Sequence, residues 1–443
     1  MPNPVASFKT GLKVAIEDTL SVAPNASTNP GWWQGGRWFD ITTDGFPSLQ
    51  DEKAIIFPAG QAGLRALNNR APVVGRTWSE GGFGFPITED FLGAMLYGAL
   101  GGLSTNRVDG TNFSLLAAEP VVGGTEKLLV LTNQPSDGGA ILRFDIKGAS
   151  AGGTISISGI DSHGNPASEV ISFASAGSFY SRQSFSAIGA SSISISGSHG
   201  GGTVDVNGIQ YWEHVFTFNN TSNPSFSIER YGDPTAGAAS KSKMHLGMVV
   251  TELTFTNPAS QEDGLFMGEV NFVGDPTATC NAGSLAATSA MKVWPAWTQK
   301  ITKNGVNWYK ATNFTMAINA GNRNYMTAAG TQNPQGRVYL GQEVTGSFDM
   351  LVDSEEEYND WAGASSMTMV NTWTSPWKLT SSQNQQLIAS LTQTYLESID
   401  SSDDDGIFSL SGDYRTINDA NNGLAKFVLR NGIPGTAYGN NVA

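Results

Sequence analysis

The sequence predicts a mainly β protein: a β-barrel or β-sandwich, single or duplicated, with short flanking helices and an inserted β-sandwich. Charged residues make up only 14% of the chain, against roughly 25% in an average soluble domain. The polar surface must therefore come from Ser, Thr, Asn and Gly, and the 52 glycines indicate many tight turns. Short runs that alternate apolar and polar residues recur between turn signals, which is typical of strands.

The chain divides by composition into four regions. Its 443 residues are enough for roughly two to four domains. Residues 1–30 carry four prolines around one weakly amphipathic stretch, and we interpret them as an N-terminal arm rather than core. The main domain is predicted over residues 31–123 and 211–443, with an inserted β-sandwich at 124–210.

The first part of the main domain contains a strand that leads into a helix. Residues 78–87 form the predicted strand, with Phe83, Phe85 and Ile87 on one face. Thr88 follows as a plausible N-cap, and a helix is predicted over residues 89–100 because acidic residues in its first turn suit the helix dipole.

The inserted region differs from its surroundings. From residue 125 to residue 208 there is no tryptophan or methionine, and Ser, Gly, Ala and Ile dominate. Runs with period two at 154–158, 192–196 and 203–206 are separated by turn signals such as residues 161–166. Evenly spaced short strands of this kind predict a small β-sandwich.

The second part of the main domain returns to a richer composition. Residues 275–305 have no clear period and predict a long loop, and helices are predicted at 354–361 and 386–397. The predicted strands are 215–218, 225–231, 249–256, 268–273, 313–319, 337–350, 407–410 and 425–429.

One internal likeness links the two parts. Residues 81–90 and 346–355 both contain a glycine, then alternating apolar residues, then a capping residue and acids that open a helix. Identity between the two segments is slight. Either the chain holds two copies of one β-plus-helix module, or the likeness is due to chance.

The overall charge argues against several classes of partner. The formal net charge is −14 and no basic run is present, so tight binding of nucleic acid is not expected. Cys280 is the single cysteine, which excludes an intrachain disulfide and fits a reducing compartment. No signal peptide is expected, because the N-terminus lacks a basic segment followed by an apolar one. No membrane-spanning segment is expected, because the most apolar stretch, residues 91–103, is too short and too rich in glycine.

The search for catalytic, metal-binding and cofactor-binding residues finds none. His163 and His199 lie in turns and are interpreted as solvated, and His214 and His245 form no metal-binding pattern with the other histidines. No nucleophile elbow, phosphate-binding loop or dinucleotide fingerprint is present. We therefore predict no enzyme activity, no metal and no cofactor.

Two acidic segments and two groups of tryptophans need an interpretation. Residues 401–406 fit a calcium loop poorly and are interpreted as a solvated acidic turn, and residues 355–357 as an exposed helix start. Exposed aromatic residues could stack on sugar rings, but packing in cores or interfaces is the preferred interpretation. The tryptophans concerned are Trp32, Trp33, Trp38, Trp294 and Trp297.

Several segments together resemble the tail tube proteins of phages with long, non-contractile tails. Two regions carry the resemblance. In the family, three strands recur in a fixed order: a strand that ends in an acidic residue, a strand similar to Leu-Thr-Phe-Thr, and a strand similar to Glu-Val-Thr-Gly-Ser-Phe. The segments are residues 36–42, 74–76, 82–100, 225–231, 249–256, 268–274 and 341–348. Residues 157–166 resemble the Ig-like decorations of phage structural proteins.

The resemblance implies a structural subunit of a siphovirus tail, assembled in the host cytoplasm. Subunits would join their sheets into rings, and stacked rings would form a hollow conduit through which DNA passes without tight binding. Most members of the family assemble as hexamers, whereas a duplicated chain would form a trimer with pseudo-sixfold symmetry. The other implied partners are the tape measure, tail terminator and tail tip proteins.

Three further expectations concern how such a tube is built. The acidic residues would line part of the lumen, the segments near 1–30 and 275–305 would make ring-to-ring contacts, and the insert would project outward. The main alternative is a capsid decoration, surface adhesin or fibre protein. A carbohydrate-binding β-sandwich protein is the second alternative.

Overall fold

The structure is a computed structural model that describes most of the chain. The described residues are 11–17, 38–41, 47–56, 73–136, 138–197, 201–219, 221, 223–231, 241–258, 264–281, 292–325, 333–334, 336–352, 355–404, 407–420, 423–434 and 438.

Twenty-six strands and two α-helices form the described part of the chain. The strands before and within the region predicted as an insert are β1 (Gly11–Ile16), β2 (Trp38–Ile41), β3 (Gln50–Ile56), β4 (Val73–Pro86), β5 (Gly101–Val121), β6 (Lys127–Leu128), β7 (Ala140–Lys147), β8 (Gly153–Asp161), β9 (Pro166–Phe173), β10 (Gly177–Ala187), β11 (Ile193–Ser196) and β12 (Gly202–Phe218). The later strands are β13 (Phe226–Tyr231), β14 (Lys241–Asn257), β15 (Met267–Gly274), β16 (Ala278–Asn281), β17 (Gln299–Lys303), β18 (Val306–Asn307), β19 (Ala311–Asn319), β20 (Asn322–Tyr325), β21 (Gly336–Tyr339), β22 (Glu343–Leu351), β23 (Met367–Lys378), β24 (Asn384–Asp404), β25 (Ile407–Thr416) and β26 (Lys426–Asn431). The helices are α1 (Glu89–Leu100) and α2 (Glu356–Ala362), and a 3-10 helix covers Ala296–Thr298.

Eight antiparallel strands form the principal sheet. Their order is β3, β4, β15, β14, β19, β22, β25 and the second half of β24. Both parts of the main domain therefore contribute to one sheet, and β14 and β19 meet at its centre. The mainly β fold predicted from composition and periodicity is confirmed.

A second layer of strands covers one face of the principal sheet. The first half of β24 pairs with β23 and β26, and β26 pairs in turn with β12. Aromatic side chains join the layers: Phe266 stacks on Trp373 of β23 with ring centroids 4.6 Å apart, and Phe314 of β19 lies 6.3 Å from the same Trp373. The main core is thus closed between two β layers, as in a sandwich.

Helix α1 is enclosed by this core. Leu92, Met95, Leu96 and Leu100 are fully buried, as expected for a helix that is apolar on nearly all sides. The helix has the predicted bounds and starts after Thr88, but the Thr88 side chain makes no capping hydrogen bond. It ends at Gly101, which adopts a left-handed conformation (φ 79°) and donates its N–H to the Tyr97 carbonyl.

The region predicted as an insert has a hydrophobic core of its own. This second cluster draws on residues between Leu115 and Val206 and is separate from the main core. Strands β5 and β12 pair along most of their length and run from one core to the other, so neither composition boundary, 124 or 210, coincides with the end of a strand. The region with the second core also contacts the turn after β23, where the Ser184 hydroxyl donates a hydrogen bond to the Leu379 carbonyl.

Two expectations about local structure are wrong. Residues 386–397 were expected to be helical but lie in β24, where Leu387, Ala389 and Leu391 are fully buried with period two. The segment predicted at 337–350 is two strands, β21 and β22, rather than one. Within the predicted arm, β1 is buried between β2 and β13, and the rest of residues 1–30 apart from Glu17 lies outside the described residues.

The helix predicted at 354–361 is present as α2. Neither described helix is long and apolar enough to cross a membrane. The predicted loop at 275–305 contains β16, the 3-10 helix and β17, and its middle lies outside the described residues.

Candidate functional site

The principal sheet has one face packed on the core and one polar face. Along β14, Leu253 and Phe255 are fully buried, and the alternating residues Glu252, Thr254 and Thr256 lie on the opposite side. Hydrogen bonds link neighbouring strands across this side, including one of 2.7 Å between Thr315 and Ser347.

Acidic residues outnumber basic residues on the polar face of the described strands. The acids are Glu52, Glu80, Glu252, Glu269, Glu343, Asp349, Asp400 and Asp413, and the bases are Arg76 and Arg415. Arg415 is paired with Glu343 and, at 2.6 Å, with Glu397. The face therefore presents a negative potential to whatever lies against it.

The two halves of the principal sheet share one register. In the first half, β14 and β15 pair with a bulge between Val250, opposite Phe272, and Glu252, opposite Asn271. In the second half, β24 and β25 pair with a bulge between Leu396, opposite Tyr414, and Ser398, opposite Asp413. The two bulges occupy equivalent places in the sheet. In each half the aromatic residue next to the bulge lies opposite a glycine of the following strand: Phe272 opposite Gly81, and Tyr414 opposite Gly346.

A side-chain hydrogen bond repeats at the same register position. The Ser48 hydroxyl accepts the Gly82 N–H at 2.9 Å, and the Thr315 hydroxyl accepts the Ser347 N–H at 3.0 Å. Strand β3 and the residues before it thus correspond to β19, β4 to β22, β15 to β25, and β14 to the second half of β24. The predicted likeness of 81–90 to 346–355 falls within this correspondence.

The principal sheet ends in two strands that each have a single strand partner among the described residues. At one end β3 pairs with β4, and at the other end residues 398–404 of β24 pair with β25. The Arg230 guanidinium donates a 2.5 Å hydrogen bond to the Leu49 carbonyl just before β3. Unpaired strand edges of this kind can accept a further strand.

A polar groove of about 630 Å³ opens between the principal sheet and the hairpin formed by β20 and β21. Its walls include Glu80, Glu252, Asn271, Asn322 and Arg323. No serine, cysteine or histidine in its lining is paired with a base, so the described walls hold no arrangement for nucleophilic catalysis.

A buried ionic cluster fixes α2 to β17. The Lys303 side chain is 5% exposed, and its ammonium lies 3.0 Å from Glu356, 3.5 Å from Glu357 and 2.5 Å from Asp360. Glu357 also accepts a 3.0 Å hydrogen bond from the Trp308 indole. The expectation of an exposed helix start at 355–357 is therefore wrong for Glu357, which is buried.

The histidines singled out in the sequence lie in separate places. His214 is fully buried in β12, and burial lowers the pKa of its imidazole to about 4, although hydrogen bonds to Asn431 and Ile433 oppose the shift. His245 is fully buried in β14, 3.2 Å from the Ser79 hydroxyl. His163 accepts the Lys378 N–H at 3.2 Å, and His199 lies outside the described residues.

The remaining candidates for ligand binding do not converge. Trp294 is fully buried and Trp297 is 69% exposed, whereas Trp32 and Trp33 lie outside the described residues, as does the side chain of Trp38. Residues 401–404 form the end of β24, and the last two residues of the predicted acidic turn, 405 and 406, lie outside the described residues. The described part of the chain contains no group of three or more His, Cys, Asp or Glu residues suited to a metal ion.

A comparison with known families places these features in context. A family model described as phage tail tube protein matches residues 7–408, which include the principal sheet except for most of β25. No curated protein matches the chain. The match covers far more than half of the sequence and confirms the resemblance found in it. The chain belongs to the phage tail tube protein family.

Proposed function

We propose that this structural protein of the virion tail assembles into stacked rings that form a hollow conduit for DNA. The observation that carries the proposal is the principal sheet of eight described strands, with an acidic polar face and, at each end, a strand that has a single strand partner among the described residues. Sheets that join edge to edge around a ring bury these edges and remove a site of uncontrolled aggregation.

The polar face is the proposed wall of the lumen. Its acidic residues repel DNA phosphates, and tight binding would need clustered Lys and Arg, which this face lacks within the described strands. DNA therefore passes along the wall without being retained. The opposite face is committed to the core, where Leu253 and Phe255 are buried.

Three chains are proposed for each ring. The shared register of the two halves supports a duplicated module, so that three chains supply six equivalent positions. A hexamer of this chain is the alternative, and it would place twelve such halves in a ring.

The second core, around residues 124–210, is proposed to be an inserted Ig-like domain that faces outward and touches host surfaces. The arm near 1–30 and the segment near 275–305 are proposed to contact the next ring. We further propose a siphovirus tail, assembly in the host cytoplasm, a purely structural role without catalysis, and the tape measure, tail terminator and tail tip proteins as partners.

Negative-stain electron microscopy with light scattering tests the proposal. Purified protein at high concentration is expected to form hollow tubes of uniform width, and end-on views count the chains in a ring. A stable monomer that never forms rings, even with tail tip protein added as an initiator, would contradict assembly and favour a capsid decoration or adhesin. Rings of six chains would contradict only the trimer.

A further inference from the structure

The pairing of β14 with β19 joins the two halves of the principal sheet within one chain. At the centre of the principal sheet, the last strand of the first half pairs with the first strand of the second half. Residues 252–257 of β14 lie opposite residues 319–314 of β19, with Thr254 opposite Ala317 and Leu253 opposite Ile318. This junction joins two halves that share one register, so the same join can repeat between chains.

We propose that residues 398–403 of one copy pair antiparallel with residues 47–52 of the next copy, in the register of the internal junction. The inference rests on the proposed ring assembly and specifies its interface. Carrying the correspondence across, Ser398 lies opposite Glu52, Ile399 opposite Asp51, and Asp400 opposite Gln50.

Burial at the two junctions supports this pairing. Leu253 at the internal junction is fully buried, because β19 covers its side of the strand. Its counterpart Ile399 is only half-buried, in the part of β24 whose single strand partner among the described residues is β25. In the proposed register a strand from the next copy covers Ile399, with Asp51 at the position that Ile318 takes opposite Leu253.

A backbone hydrogen bond indicates how the pairing continues past the bulge. At the internal junction, the Ala320 N–H donates to the Thr251 carbonyl at 2.9 Å. Thr251 occupies the bulge position that Glu397 occupies in the second half. The Glu397 carbonyl accepts the Trp361 indole N–H at 3.3 Å and can accept a second donor, which the register identifies as the Lys53 N–H.

Side-chain polarity and charge disfavour the register shifted by one residue and one of the two registers shifted by two. In the proposed register no acidic residue lies directly opposite another acidic residue. A shift of one residue turns the polar face toward the core, and a shift of two residues in one direction places Asp400 opposite Glu52, where like charges repel.

Disulfide trapping on the full chain tests the register. In a Cys280→Ser background, we compare Gln50→Cys with Asp400→Cys, the proposed intermolecular pair, and Thr254→Cys with Ala317→Cys, the equivalent internal pair. Opposed residues of antiparallel strands have Cα separations compatible with a disulfide. The mismatched pair Glu52→Cys with Asp400→Cys is the register control.

In polymerised protein, the proposed pair is expected to give a covalent ladder that stops at the number of chains in one ring. Its cross-linked yield should exceed that of the mismatched pair by about tenfold, because the mismatched Cα atoms are too far apart. The internal pair should close within single chains. Hydrogen exchange on the unmodified protein should show slower exchange at 398–403 after polymerisation.

Two results would overturn the register. Rings or tubes without cross-linking at the proposed pair, or without slower exchange at 398–403, would contradict this interface and leave the proposed function standing. Protein that forms no rings and no intermolecular disulfide, with tail tip protein present, would contradict both.

Discussion

At the residue scale, His214 shows how a buried polar group joins distant parts of the main core. Its Nδ1 accepts the Thr105 hydroxyl at 3.0 Å, and its Nε2–H points to the Ile433 carbonyl at 2.9 Å. The imidazole also makes an edge contact with Tyr438, with ring centroids 4.9 Å apart. These hydrogen bonds satisfy both nitrogens of the neutral imidazole, whereas a charged imidazolium at this fully buried position would lose its hydration.

The low pKa of His214 predicts a loss of stability in mild acid. The unfolded chain takes up this proton near pH 6.5 and the folded chain only near 4, so the free energy of unfolding falls as the pH decreases between these values. Between pH 7 and pH 5 the loss should be about 2 kcal/mol. Urea unfolding at both pH values measures it. His214→Gln should remove most of this pH dependence, and an unchanged dependence in the variant would contradict the assignment.

At the element scale, the sequence predicts strands well where their residues alternate and poorly where composition favours another structure. Residues 386–397 include three Leu, two Gln, one Ala and one Glu, all of which favour helices. The spacing of Leu387 and Leu391 fits a helix as well as a strand. Pairing with β23 and β26 decides the outcome, and such long-range partners are not visible in a local pattern.

Strand β23, helix α1 and the acidic face differ in how clearly the local sequence predicts them. Strand β23 alternates buried and partly exposed residues along its length, so its signal was available and was missed. The helix α1 was visible because its apolar run follows a turn and two acids. The acidic face was not visible, since Glu252 and Glu269 become neighbours only when β14 pairs with β15.

Helix α2 is short, and its attachment to β17 through Lys303 predicts a large effect of one substitution. Lys303→Ala leaves the buried Glu357 without its cation, and the free energy of unfolding should fall by about 3–5 kcal/mol. Lys300→Ala, at an exposed position of the same strand, is the matched control and should change it by less than about 0.5 kcal/mol. Equal effects of both substitutions would contradict an anchoring role. Chemical denaturation provides the measurement.

At the scale of the whole molecule, the strand count sets the width of the proposed tube. In the proposed trimer each chain would supply the eight described strands of its principal sheet to the wall, and three chains would close the ring. With strands about 4.8 Å apart and tilted by about 40°, the barrel measures about 50 Å between opposite backbones. Such a barrel is wide enough for duplex DNA to pass without contact on all sides.

Charge reversal on the polar face should make assembled tubes retain DNA. Glu269, Asp349 and Asp413 all change to Lys in the test variant, and Asp109, Glu126 and Glu355, exposed acids away from that face, change in the control. Co-sedimentation should detect DNA with the test tubes at low salt and release on adding salt, because phosphate binding depends on counterion release. Binding by unmodified or control tubes would contradict an acidic lumen wall.

Because the two halves of the principal sheet share one chain, they are free to evolve apart. In a ring of identical single-module subunits, any substitution appears at every position around the circumference. Here Glu252 in one half corresponds to Ser398 in the other, and the paired strands β5 and β12 carry the second core between them, whereas a short turn joins the paired strands β23 and β24. In the proposed ring, positions that carry the second core would alternate around the circumference with positions that lack it, which would leave each second core room at its base.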